Sequence, residues 1–422
     1  RRRADGSCAS VRAPPRVHPP RPRMWLPPRP RPRRRARLAR AAAALLVALP
    51  APAPPSSAAE PFAFVTERLA DGVYAVRSVQ GPGFGMDANS TVLVGPEDVI
   101  VVDAQFSEAA TQRVIREIRR LTPRPVRHVV STHWHDDHVS GNAAYARAYP
   151  GVVFVAHEQT ARDLPTVAAR NRTAFLRASR GTLALLADLT ARRRTPAGAP
   201  ASDAEVQGYH DYARLIALFA AEADSTTPLP PPALTVGDRL TLRQGRRRID
   251  LLHLGRGHTA GDLVVHLPAE GIVVAGDLVI APVPFVGSTS YPHAYGATLE
   301  RLLALPHRAI VPGHGAVLRD DAHVRRTIAL LRDLTAQVDA AVERGDSLPQ
   351  LRERVDLAAH REAFGAASPL HAALFDTYVA ASAIPRAYEE ARAARAAGAT
   401  GTPHAAGRRR APPGTRASRV AA

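Results

Sequence analysis

The run VRHVVSTHWHDDH, residues 126–138, constrains the fold of this chain more than any other stretch. Its first part is apolar, β-branched and of strand length, and it predicts a buried strand. Its second part packs His133, His135, Asp136, Asp137 and His138 around Trp134. So much polarity at the end of a buried strand is costly unless other groups or a cation satisfy it. If His133 ends the strand, residues i and i+2 point to one face, so His133 and His135 form a pincer of two imidazoles. Asp137 and His138 follow as the backbone turns into a helix, and they face a second position nearby. A plain charged loop is a poor alternative for such a cluster.

The flanking sequence is regular. FVTERLADGVYAVRSV reads as two strands about an Asp-Gly turn, and STVLVGPEDVIVVDAQ as a second pair ending at Asp103. SEAATQRVIREIRRLT, 107–122, has a Ser N-cap and apolar residues at helical spacing. QGPGFGMDANS, 80–90, is a Gly-rich loop. Residues 157–225 predict a helical insertion broken near 195–202. LTVGDRLTLRQGRRRIDLLHL and DLVVHLPAEGIVVAGDLVI return to strands, and IVPGHG follows a further helix. Strands and helices alternate and polar residues collect where strands end, as in layered α/β enzymes.

The H-x-H-x-D-H spacing resembles the signature of the metallo-β-lactamase superfamily. Its other motifs occur in the order that family requires: Asp103 in VIVVDAQ, His258 in LGRGHTAGD, Asp277 in IVVAGDLV and His314 in IVPGHG. The resemblance covers 62 to about 340. It implies a four-layered αββα fold, an α+β sandwich, carrying the helical insertion. It also implies two metal ions. His133, His135 and His258 would hold the first, Asp137, His138 and His314 the second, and Asp277 would bridge them. Asp103 would orient the site through hydrogen bonds, and Asp137 would serve catalysis as well as binding. Imidazole and carboxylate ligands suit two Zn²⁺, and also Mn²⁺ or Fe²⁺.

The implied reaction is hydrolysis of an ester, thioester, lactone or amide by metal-bound hydroxide. The partner is a small-molecule substrate. A true β-lactamase is an alternative, favoured by the local likeness of THWHDDHVSGN to that branch. Against it, one lactamase subclass has Cys at the position of Asp277, Arg at that of His138, and a Lys for the drug carboxylate. A second subclass lacks the bridging Asp. A mononuclear iron sulfur dioxygenase is an alternative from another class. Phe84, Met86, Phe285, Tyr291 and Tyr295 are candidates for the pocket walls. His253 is assigned to a strand, His293 to a loop at the rim, and Trp134 to packing against the sheet.

Composition tests a nucleic-acid partner. The net charge is +18, and all 56 basic residues are Arg. Residues 1–40 hold 14 Arg and one Asp, residues 397–422 hold five Arg and no acid, and 41–396 balance. A nucleic-acid binder carries its basic face on the folded part, so no such partner is expected. From Met24 the chain has a basic stretch ending at Arg40, a short apolar run from Ala41 to Leu49, and small residues before Glu60. This predicts upstream residues and a signal peptide over 1–59, cleavage after Ala59, and export to the periplasm or beyond. The apolar run is too short to span a bilayer. The expected organisation then comprises a catalytic domain over 60–345, a helical extension over 346–396 and a disordered tail over 397–422. The single cysteine, Cys8, lies before that cleavage point, so the mature chain offers no thiolate ligand.

Overall fold

The computed structural model describes residues 64–78, 88–196, 198–223 and 229–400. The expectations for 1–59, for Phe84 and Met86 and for residues 401–422 of the tail lie outside the described residues. One sheet contains β1 (Phe64–Ala70), β2 (Val73–Ser78), β3 (Ser90–Val94), β4 (Val99–Val102), β5 (Val126–Val130), β6 (Val153–His157) and β7 (Leu234–Val236), in that spatial order. The other contains β8 (Arg239–Gln244), β9 (Arg247–Leu252), β10 (Val264–Leu267), β11 (Ile272–Ile280) and β12 (Ala309–His314), with β12 and β8 at the edges. Pairing is antiparallel from β1 to β4 and from β8 to β11. It is parallel from β4 to β7 and between β11 and β12.

The helices are α1 (Glu108–Leu121), α2 (Asp136–Val139), α3 (Asn142–Ala148), α4 (Glu158–Asp163), α5 (Ala169–Arg192), α6 (Asp203–Glu222), α7 (Pro292–Leu303) and α8 (Ala322–Arg344). After them come α9 (Leu348–Arg354), α10 (Ala358–Gly365), α11 (Pro369–Phe375) and α12 (Ala381–Thr400). Among the described residues, no helix is long and apolar enough to cross a membrane.

The strand period of two sorts the apolar side chains into layers. Ile100, Val102, Val130 and Val155 face inward and meet Leu251, Val265, Val274 and Val311 of the opposing sheet. Their neighbours Val99, Val101 and Val129 face outward, against Val114, Ile115 and Ile118 of α1. On the far side, Val264, Val273 and Ile310 pack with Leu299 of α7 and Leu331 of α8. The result is the expected four-layered αββα sandwich. Full burial of each such side chain contributes about 1.5–3 kcal/mol. The predicted Ser cap of α1 is Ser107, whose hydroxyl accepts from the Ala110 N–H at 3.1 Å.

Between β6 and β7 the chain runs through α4, a π-helical turn (Leu164–Ala168), α5 and α6. α5 and α6 form a hairpin closed by Leu186, Leu189, Tyr209 and Ile216. α6 starts in a capping box between Ser202 and Glu205. Trp134 departs from expectation. It is buried beside Leu164 and Ala168 of the π-helical turn, not against the sheet.

Candidate metal centre

The seven candidate ligands come together from both sheets, at strand ends, in loops and within one strand. Asp103 follows β4, the THWHDDH segment follows β5, and His314 ends β12. His258 lies in the loop between β9 and β10, and Asp277 sits inside β11. His133 is three residues beyond β5 instead of at its end, yet it still pairs with His135, ring centroids 4.6 Å apart. Asp277 follows a register shift at Gly276, whose φ is +52°. Gly313 has to be glycine, because a Cβ there would lie 1.9 Å from Asp277 Oδ1.

Two clusters result, each with ligand atoms within 4.8 Å of one another: His133, His135, His258 and Asp277, and Asp137, His138, Asp277 and His314. Asp277 Oδ2 faces the first, at 3.7 Å from His133 Nε2 and 3.3 Å from His258 Nε2. Its Oδ1 faces the second, at 3.1 Å from His138 Nε2 and 3.5 Å from His314 Nε2. Asp137 Oδ2 lies 3.2 Å from His138 Nε2 and 2.9 Å from His314 Nε2.

Outer hydrogen bonds fix which nitrogen faces inward. His138 Nδ1 donates to Asp103 Oδ2 at 2.8 Å, which leaves Nε2 with the lone pair. Thr132 donates its hydroxyl to the same oxygen at 2.8 Å, so its own oxygen can accept from His133 Nδ1 at 3.1 Å. Thr289 Oγ1 stands 3.1 Å from His135 Nε2 and leaves Nδ1 pointing inward. Thr132 had no sequence signal beyond its place in the motif, and Thr289, in the loop before α7, had none. Asp103 holds this network from a backbone φ of +61°, an uncommon conformation that Asp tolerates better than most residues.

Burial keeps the histidines of the first cluster neutral. It holds His133 well below the ordinary imidazole value, brings His135 down to about 3, and lowers His258. In the second cluster burial is outweighed by charge. Asp137 and Asp277 raise His138 well above its usual value, and Asp277 and Asp137 lift His314 to about 10. Burial pushes Asp137 and Asp277 up, but the facing imidazoles hold both well below the carboxylate range. The donor set fits divalent cations. His133 Nε2, His138 Nε2 and Asp277 Oδ1 are buried without a hydrogen-bond partner. His258 Nε2 and His135 Nδ1 point at each other from 2.9 Å, which two lone pairs tolerate only around a cation or proton. The His/Asp cluster thus suggests divalent metal binding.

The family model described as the metallo-beta-lactamase superfamily matches residues 83–314, more than half of the chain and all seven of these side chains. The chain belongs to the metallo-beta-lactamase superfamily. A linear primary-alkylsulfatase from Pseudomonas sp. (strain ATCC 19151) is 25% identical to it over 279 residues, 64% of this chain and 50% of that protein. The chain therefore spans about half the length of this curated relative. Among solved structures, a metallo-beta-lactamase from Pontibacter korlensis is 19% identical with a TM-score of 0.44, covering 64% of this chain and 99% of that one. The DIM-1 metallo-beta-lactamase is 17% identical with a TM-score of 0.42, covering 64% and 97%.

The remaining candidates of this superfamily member separate clearly. Phe285 is at the centre, its ring 5.8 Å from that of His258 and 5.0 Å from that of Tyr378. Tyr295 is buried in the core, where its hydroxyl donates to the Asp277 carbonyl at 2.6 Å, so it braces β11 instead of lining a pocket. Tyr291 has the guanidinium groups of Arg256 and Arg386 within 5.2 and 5.3 Å of its ring centre. His293 binds Glu390 and Asp339, tying α7 to α12 and α8. His253 stacks on His157 at 4.1 Å, and its Nδ1 meets the Asp262 carbonyl at 3.0 Å.

The His157–His253 stack makes stability depend on pH. Burial, with help from His253, brings His157 down to about 4, and its Nδ1 accepts from the Gln159 N–H at the start of α4. The unfolded chain binds this proton near pH 6.5. The stabilising contribution is therefore full above pH 6.5 and is lost as the pH falls toward 4. His157→Asn keeps a capping acceptor that does not titrate. Its loss of unfolding free energy between pH 7 and pH 4.5 should be smaller than that of the wild type by on the order of 2 kcal/mol. Urea unfolding of both proteins in chelator checks this, and equal losses would refute it.

Proposed function

We propose that this chain is a metal-dependent hydrolase that takes two Zn²⁺ ions, with Mn²⁺ or Fe²⁺ as substitutes, and cleaves an ester, thioester, lactone or amide. The observation that carries the reading is the pair of four-residue clusters sharing Asp277. Divalent ions at these clusters would supply Lewis-acid polarisation of the bond to be cleaved and bring the pKa of a water toward neutrality. The protein's part is orientation and proton handling. His133, His135 and His258 stay neutral by burial and present lone pairs inward. Thr132 holds the tautomer of His133, Thr289 that of His135, and Asp103 that of His138 in the second cluster. Asp137, whose Oδ2 faces the second cluster, would orient a water that protonates the leaving group. Phe285 supplies apolar surface against one side of the centre.

A second reading, hydrolysis of an alkyl sulfate, is favoured by the name of the Pseudomonas relative. One experiment separates the two. The chain from residue 60 is loaded with zinc, its ion content measured, and its turnover followed on a phenyl ester, a thioester, a lactone, a chromogenic cephalosporin and a linear alkyl sulfate, with and without chelator. About two ions per chain and chelator-sensitive turnover of a carbonyl substrate are expected. Turnover confined to the sulfate would replace the first reading with the second. A chain that binds no ion would sink both.

A further inference from the structure

α5 sends one cation back under the metal-binding loop. Arg172 is only 7% exposed. Its Nε and Nη2 donate to Asp136 Oδ1 at 2.8 and 2.5 Å, and Nη2 also reaches Ser140 Oγ at 3.0 Å. Asp136 and Ser140 bracket α2, the turn that carries Asp137 and His138, and the Ser140 N–H closes that turn on the Asp136 carbonyl at 2.9 Å. The guanidinium is itself held. Its carbon lies 5.9 Å from the centre of the Phe219 ring of α6, and Phe219 stacks on Phe106 at 4.0 Å. Phe106 belongs to the loop that follows Asp103. A buried, doubly hydrogen-bonded ion pair has defined geometry, and removing one partner leaves the other charge stranded.

We propose that Arg172 is a positioning residue, through which the α5–α6 hairpin sets the placement of Asp137 and His138 and hence the affinity of the second ion. This rests on the reading of the two clusters as ion sites. The guanidinium touches neither candidate ligand. It fixes the first and last side chains of a turn only one residue longer than the two ligands and their immediate neighbours. The first cluster meets α2 only at its N-cap, His135, whose ring is held separately by Thr289, so the first ion should hold when Arg172 is changed.

The test is calorimetric titration of zinc into wild type, Arg172→Met, Arg172→Lys, Asp137→Asn and the double variant Asp136→Asn/Arg172→Met, with circular dichroism to check folding. In Arg172→Met, one of two binding steps should weaken by about tenfold to a hundredfold, the range found for residues that orient metal ligands. It should be the same step that Asp137→Asn weakens, and the other step should hold. Arg172→Lys keeps the charge but loses the two-pronged contact, and should fall between. The double variant removes both charges, so it should recover stability but not the weakened step. An Arg172→Met or Arg172→Lys protein with both steps at wild-type affinity overturns the proposal. So does a double variant that recovers the step, because the effect is then charge burial alone. A wild type that binds no zinc overturns the underlying reading as well.

Discussion

Asp277→Asn should lose ions from both clusters and lower turnover by on the order of 10³-fold. Its two oxygens are divided between the clusters, Oδ2 toward His133 and His258, Oδ1 toward His138 and His314. An amide has the same shape but no net charge, and its NH₂ group cannot coordinate. The side chain is 4% exposed, so water cannot stand in for the missing oxygen. The fold should survive, since Tyr295 holds the backbone here through the Asp277 carbonyl and not the carboxylate. Elemental analysis of the dialysed variant, beside circular dichroism, measures the outcome. Two retained ions with wild-type turnover would remove Asp277 from the centre.

The second large effect is expected at Asp103, where stability and ion binding should part company. Its carboxylate accepts from the Thr132 N–H at 2.7 Å, from the Thr132 hydroxyl and from His138 Nδ1. Asp103→Ala strands these buried donors and should cost about 3–5 kcal/mol. Asp103→Asn keeps the volume and also tolerates the left-handed backbone. Its oxygen, in place of Oδ1, still accepts from the Thr132 N–H, but its NH₂, in place of Oδ2, faces both the Thr132 hydroxyl, which can turn to accept from it, and His138 Nδ1. That nitrogen must then accept, its proton moves to Nε2, and the lone pair aimed at Asp277 and Asp137 disappears. The Asn variant should therefore unfold near the wild-type denaturant midpoint while the second ion binds about 10–100-fold more weakly. Equal affinity in the Asn variant would show that Asp103 does not set the tautomer.

Much of this was legible because the chemistry is local in the chain. H-x-H-x-D-H puts four of the seven candidate ligands within six residues, and Asp277 and His314 are each marked by the apolar run that leads into them. The αββα layering was legible for the same reason, since Ile100 and Val101, or Val273 and Val274, simply alternate between two cores. What escaped depends on where distant segments meet. Arg172 is one of many arginines on a helix, and only the packing of α5 against α2 distinguishes it. Tyr295 looked like a loop aromatic because its partner is a backbone carbonyl 18 residues away. Trp134 was assigned to the sheet because sequence cannot say which side of a loop the insertion will cover.

The centre draws His133, His135, Asp137 and His138 from the segment that follows β5 of one sheet, and His258, Asp277 and His314 from a loop and two strands of the other. Neither half owns a complete set for either ion. A ribosome must therefore extend the chain past Asp277 before the first set of ligands is whole, and past His314 before the second is. Loading becomes a late event in biogenesis, one that rewards the arrival of the second sheet with ligand-linked stabilisation.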